Sequence, residues 1–126
     1  MPLRVELKPF ERIVIGDSVI TNSDARSCFL IDGAAPILRE KDTVTAETAN
    51  TPAKRLYFCV QRMYLKNDPA RSREAYLGFL AALRQADPAA SELIASVDSH
   101  VSAGLFYKAL KGIRKLMKRE EELQAA

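Results

Sequence analysis

Apolar and polar residues alternate along the first stretch of the chain. In "LRVELK", Leu3, Val5 and Leu7 fall on one side and Arg4, Glu6 and Lys8 on the other. A period of two is that of a strand with one dry and one wet face. "FERIVI" and "SVITN" flank Gly16-Asp17 and predict a hairpin, since glycine accepts the positive φ that tight turns require. "CFLI" and "PILR" flank a second turn signal, Asp32-Gly33, and "TVTA" at 43–46 can add a last strand. The first 50 residues thus predict a small antiparallel sheet or partly rolled barrel.

The period then changes. Thr51-Pro52, Asp68-Pro69 and Asp87-Pro88 each place an N-capping residue before a proline at the first helical position, where a missing N–H costs nothing. Helices are predicted over 52–66, 69–86 and 88–103, with Gly104 separating a last helix over 105–123 that ends in a frayed tail. The predicted class is α+β, a sheet part (1–50) followed by a bundle of about four helices (51–126). A sheet of about 50 residues buries only about 60% of its unfolded surface. Its apolar face therefore needs the helices or a second copy of itself as cover, and the two parts are expected to form one cooperative unit.

On the last helix Leu105, Phe106, Ala109, Leu110, Ile113, Leu116, Met117 and Leu123 fall on one side, an arc of about 140° at 100° per residue. Lys108, Lys111, Arg114, Lys115, Lys118 and Arg119 take the other. The apolar stripe reads as core or as a partner-helix groove. The basic stripe reads as a solvated face or an anionic contact, and three like-charge i,i+4 pairs oppose the helix by roughly 0.2–0.5 kcal/mol each. On the first helix Leu56, Val60, Met63 and Tyr64 make an inner stripe, with Lys54, Arg55 and Arg62 outside and Tyr57 near them. Basic residues beside an aromatic suit single-stranded RNA.

Charge sharpens this division. Residues 1–50 hold six Lys/Arg against eight Asp/Glu, a net −2, and residues 51–126 hold thirteen against eight, a net +5. A basic surplus is compatible with RNA, an anionic surface or an acidic partner. No apolar run approaches the roughly 20 residues of a membrane span, and the first residues lack a signal-peptide core, so a cytoplasmic protein is expected. Cys28 and Cys59 read as buried free thiols rather than as a disulfide or metal pair.

Candidate chemistry is sparse. Asp98 and His100, the single histidine, are two apart on a predicted helix and cannot orient each other. No Gly-rich phosphate loop or His-Glu metal motif is present. Neither catalysis nor a cofactor is expected.

The blocks "LKPFERIVIGDSVITN", "FLIDGAAPILREKD", "TAETANTPAKRLYFCVQRMYL" and "LFYKALKGIRKLMKREEEL" resemble the FlbT family, flagellin-synthesis regulators of alpha-proteobacteria. The resemblance spans almost the whole chain, most loosely over the middle. It implies a cytoplasmic, non-enzymatic post-transcriptional regulator that binds the 5′ leader of flagellin mRNA and represses translation or promotes decay, with activators among some relatives. It also implies work beside the flagellar regulator FlaF and contact with flagellin. A shorter stretch, "ERIVIGDSVIT", resembles the opening of the carbon storage regulator, a small β-protein that reads mRNA leaders as a dimer. That likeness would make the sheet the RNA reader and pair strands within a homodimer.

The family carries no motif of RNA contacts onto these positions, so candidates rest on charge and expected exposure. The wet face of the sheet offers Lys8, Arg12, Arg39 and Lys41 among Glu6, Glu11, Glu40 and Asp42, and the first helix adds Lys54 and Arg55. The last helix supplies a secondary stripe, Lys111, Arg114, Lys115 and Lys118. The rival expectation is a protein-interaction module that docks on flagellin or FlaF through the last helix or an exposed sheet edge, and affects mRNA indirectly.

Overall fold

The computed structural model describes residues 2–66 and 69–125, with side chains for all of these except 69–71. The chain is α+β, strands first and helices second, and it divides into two compact units, Met1–Thr43 and Val44–Ala126.

The first unit holds five strands: β1 (Leu3–Leu7), β2 (Arg12–Ile15), β3 (Ser18–Thr21), β4 (Ser27–Ile31) and β5 (Ile37–Arg39). They form two open antiparallel sheets, β1 with β4, and β3-β2-β5. The predicted hairpin turns at Gly16, whose φ of 60° suits the first position of a two-residue type II′ turn. At Asp32-Gly33 the chain also turns, but β4 pairs with β1 and β5 with β2, so this turn links two sheets. Alternation along each strand sends Val5, Leu7 and Ile13 into one cluster, with Ile15, Phe29, Ile31 and Ile37 packed against it. The two sheets thus cover each other's apolar residues.

"TVTA" is not a strand. Residues Glu40–Asp42 form a 3-10 turn, and both backbone groups of Val44 are claimed by one side chain. Gln61 accepts the Val44 N–H at 2.8 Å through Oε1 and donates to its carbonyl at 3.0 Å through Nε2. A residue so occupied has no ladder bonds to offer.

The second unit contains α1 (Pro52–Lys66), α2 (Pro69–Ala86), α3 (Ser91–Ser102) and α4 (Phe106–Ala125). The 88–103 segment opens as a 3-10 turn, Pro88–Ala90, before α3 begins. α1 packs against α2 and α4, and α4 against α3. The core is drawn from the apolar stripes, including Leu56, Val60 and Met63 of α1 and Ala109, Leu110, Ile113 and Leu116 of α4. Leu105 and Leu123, counted with the α4 stripe from sequence, are exposed.

The helix signals act in different ways. Thr51 caps α1, its Oγ1 accepting the Lys54 N–H at 3.2 Å. Asp68 lies outside the described residues. The Asp87 side chain does not cap at all; its carboxylate receives both Arg119 Nε and Nη2, the latter at 3.1 Å. α3 ends in a Schellman motif around Gly104 (φ 76°), with Leu105 N–H donating to His100 O and Gly104 N–H to Val101 O.

Candidate nucleic-acid interface

The wet face raised by the opening alternation is best described from its hydrogen bonds. Residues 8–11, "KPFE", close a β-turn in which Glu11 N–H donates to Lys8 O at 3.1 Å. Pro9 takes the second position, and Phe10 takes the third with φ 62°. A positive φ there is the requirement of a type II turn, normally met by glycine or asparagine. Phe10 is the only described non-glycine residue in this region of backbone space, at a cost of roughly 1–2 kcal/mol. The residue is 68% exposed, so burial does not offset that cost.

Neighbouring bonds hold the turn in place. Phe10 N–H donates to Ser23 O at 2.9 Å, and Asn22 N–H to Glu11 O at 2.9 Å. The buried Asn22 side chain reaches Leu7 O, Lys8 O and Ala25 O through Nδ2 and accepts from Ser27 Oγ. Glu11 Oε1 accepts the Lys8 N–H at 3.0 Å, while Oε2 meets Arg39 Nη1 at 3.4 Å. These contacts hold the Glu11 carboxyl below the usual carboxylate range, the Lys8 N–H most and then the Arg39, Lys8 and Lys41 charges. Arg39 also donates to Glu6 O at 3.1 Å.

The result is an open concavity of about 460 Å³, lined by Glu6, Leu7, Lys8, Glu11, Arg26, Ser27, Cys28, Arg39 and Lys41. Four cations face two carboxylates there. Glu11 is engaged by Arg39, and Glu6 by Arg4 at 3.0 Å. Among the described residues Lys8, Arg26 and Lys41 enter no ion pair. The cationic charge of this wall is therefore available to an anion.

Three candidates from sequence, Lys8, Arg39 and Lys41, come together here. Arg12 does not join them: it precedes Ile13 on β2, and Ile13 is opposite Arg39, so alternation puts Arg12 on the other face of the sheet. There it pairs with Glu40 at 3.6 Å. Lys54 and Arg55 lie in the first turn of α1, in the other unit, partly and fully exposed. Of the secondary stripe, Lys111, Lys115 and Lys118 are exposed on α4, with Lys111 Nζ over the Tyr107 ring at 5.0 Å. Arg114 is half-buried and donates to Tyr57 Oη at 3.1 Å. Tyr57 itself is buried, not set among the outer cations of α1.

Sequence reasoning passed over Arg26 and Phe10. Nothing local marks Arg26, which reaches the wall through the loop that Asn22 anchors. The Pro9 before Phe10 was the available signal, since proline favours the second position of a type II turn. Cys28 also departs from expectation. Cys59 is buried, but the Cys28 thiol is exposed in the concavity and accepts from Arg4 Nε at 3.3 Å. On β4 it falls out of step with Phe29 and Ile31, which face the core cluster.

A family model described as flagellar protein FlbT matches residues 3–124. The chain belongs to the FlbT family. Curated FlbT relatives run to similar lengths. A "probable flagellum biosynthesis repressor protein FlbT" of Rhodopseudomonas palustris is 64% identical over 98% of both chains. The relative numbered FlbT 1 in Bradyrhizobium diazoefficiens is 47% identical over 98% of this chain and 86% of its own. The "flagellum biosynthesis repressor protein FlbT" of Caulobacter vibrioides is 35% identical over 97% and 89%. No solved structure matches this FlbT chain. Among its described residues no helix is long and apolar enough to cross a membrane.

Proposed function

We propose that this FlbT chain is a cytoplasmic repressor of flagellin synthesis that binds the 5′ leader of the flagellin mRNA and blocks translation or hastens decay. The concavity of the first unit holds the RNA backbone. One observation carries this reading: Lys8, Arg26 and Lys41 line one concavity without ion pairs, beside an Arg39 whose own bonds fix it in place. Phosphate contacts of this kind supply affinity, and unpaired leader bases supply specificity. The names of the relatives, flagellum biosynthesis repressors, support the sign of regulation and the flagellar target.

The test is a titration of purified protein against its own flagellin leader, with a scrambled leader as control, at about 50 and 200 mM salt. Specific binding that weakens with salt is expected, and Lys8→Glu with Lys41→Glu should abolish it while circular dichroism stays unchanged. Undiminished binding by a folded double variant would overturn the placement.

A protein-docking role has one observation in its favour. The edge strand β3 leaves Val19 59% and Ile20 42% exposed, whereas Ala109, Leu110, Ile113 and Leu116 of the α4 stripe are spent on the helical core. If the leader shows no preference over the scrambled control, flagellin and FlaF become the ligands to try.

A further inference from the structure

We infer that Phe10 is a stacking platform for an unpaired base of the bound RNA, carried on the turn whose first and last residues, Lys8 and Glu11, line the phosphate-holding concavity. The inference rests on the RNA reading above and deepens it.

Folding alone does not account for this side chain. Phe10 stands where glycine would carry the same backbone without strain, and its exposed ring returns little burial. The turn nevertheless persists because its surroundings over-determine it. Ser23 O holds the Phe10 amide, Asn22 holds Lys8 O, and Glu11 bonds Lys8 across the turn twice, through its N–H and its carboxylate. A strained residue locked by its neighbours, with a large exposed aromatic side chain, is a presented group rather than a packed one.

Its location selects the occupant. The residues on either side of the Pro9-Phe10 pair, Lys8 and Glu11, both line the cationic concavity. An exposed aromatic on the turn that borders a cationic concavity matches the two chemistries of a nucleotide, a flat base and an anionic phosphate. A double-stranded RNA would not present its bases in this way, so the ligand is a single-stranded segment or loop. Glu6 and Glu11 are held by Arg4 and Arg39, and their charge is thereby muted toward the approaching backbone.

The experiment uses the full chain, wild type and Phe10→Gly, Phe10→Leu, Phe10→Tyr and Phe10→Trp, with the flagellin leader RNA at several salt concentrations. The glycine and leucine variants should bind about 5- to 150-fold more weakly, the range that loss of one base–aromatic stack produces. Their dependence of log affinity on log salt should match wild type, since stacking releases no counterions. Tyrosine should restore binding. The chain has no tryptophan, so Phe10→Trp is a sole reporter whose fluorescence should be quenched as RNA binds. If wild type binds the leader and the glycine variant binds within twofold of it, the stacking role is overturned and the RNA reading stands. If wild type binds no RNA, the RNA reading fails, and the inference fails with it.

Discussion

Asp87 and Phe10 show how little a residue's type says about its task. Asp87 precedes a proline and has the make-up of a cap, yet its carboxylate is spent on the Arg119 guanidinium. That hydrogen bond holds the Asp87 carboxyl below its ordinary value, and the Lys8 N–H does the same for Glu11. A carboxyl depressed by folding adds stability above its unfolded value and loses it as pH falls through the folded one. The melting temperature should therefore hold from neutrality to about pH 5 and fall below about pH 4. Asp87→Asn should cost about 1 kcal/mol of stability at pH 7, after allowance for solvent screening, and should flatten part of the acid decline. A thermal melt series across pH for both proteins checks this. For Phe10→Gly the strain relieved matches or exceeds the extra chain entropy, by up to about 1.5 kcal/mol, so this variant should melt no lower than wild type while binding RNA worse.

Two glycines on different helices separate propensity from packing. Gly78, in α2, has open space where a Cβ would go, whereas a Cβ on Gly112 of α4 would come within 2.8 Å of Val97 Cγ2 on α3. Alanine at 78 should stabilise by about 0.5–1 kcal/mol through helix propensity alone. Alanine at 112 meets a buried β-branched side chain with little freedom to move, and overpacking of about 1–3 kcal/mol outweighs the same gain. Urea midpoints of the two variants should move in opposite directions. The α1 start is likewise shared between elements: Glu120 of α4 accepts the Thr51 hydroxyl at 2.6 Å and the Ala53 N–H at 2.9 Å. Glu120→Ala should cost about 1–2 kcal/mol, and the exposed Glu121→Ala should cost almost nothing in the same assay. Sequence shows three consecutive glutamates near a helix end; it does not show that one of them caps a helix 67 residues earlier.

For the whole molecule, the proposed RNA site does not follow net charge. The helical unit carries the surplus, but the concavity lies in the first unit, whose sequence is richer in acids than in bases. With three uncommitted cations, the slope of log affinity against log salt should be about −2 for single-stranded RNA, roughly a twentyfold loss between 50 and 200 mM. The slope should become shallower in Lys41→Glu and stay as it is in Arg12→Glu, because Arg12 faces away and pairs with Glu40. Filter binding at four salt concentrations distinguishes the two.

Local rules were enough for the succession of elements. Period-two alternation placed β1, the turn signals Gly16-Asp17 and Asp32-Gly33 placed β2 to β5, the Pro and Gly boundaries placed α1 to α4 within a few residues, and long matched blocks pointed to the family. Those are properties of neighbours along the chain, and neighbours are what a sequence displays. Strand partners, the claim of Gln61 on Val44, the exposure of Cys28 and the separation of Arg12 from Arg39 were decided only in three dimensions. Each depends on a second residue brought close by folding, and on which face of a strand a side chain leaves from. The opening alternation could tell that the sheet had a wet face; only tertiary structure could gather Lys8, Arg26, Arg39 and Lys41 around one concavity, because their spacing in sequence carries no record of the turns that bring them together.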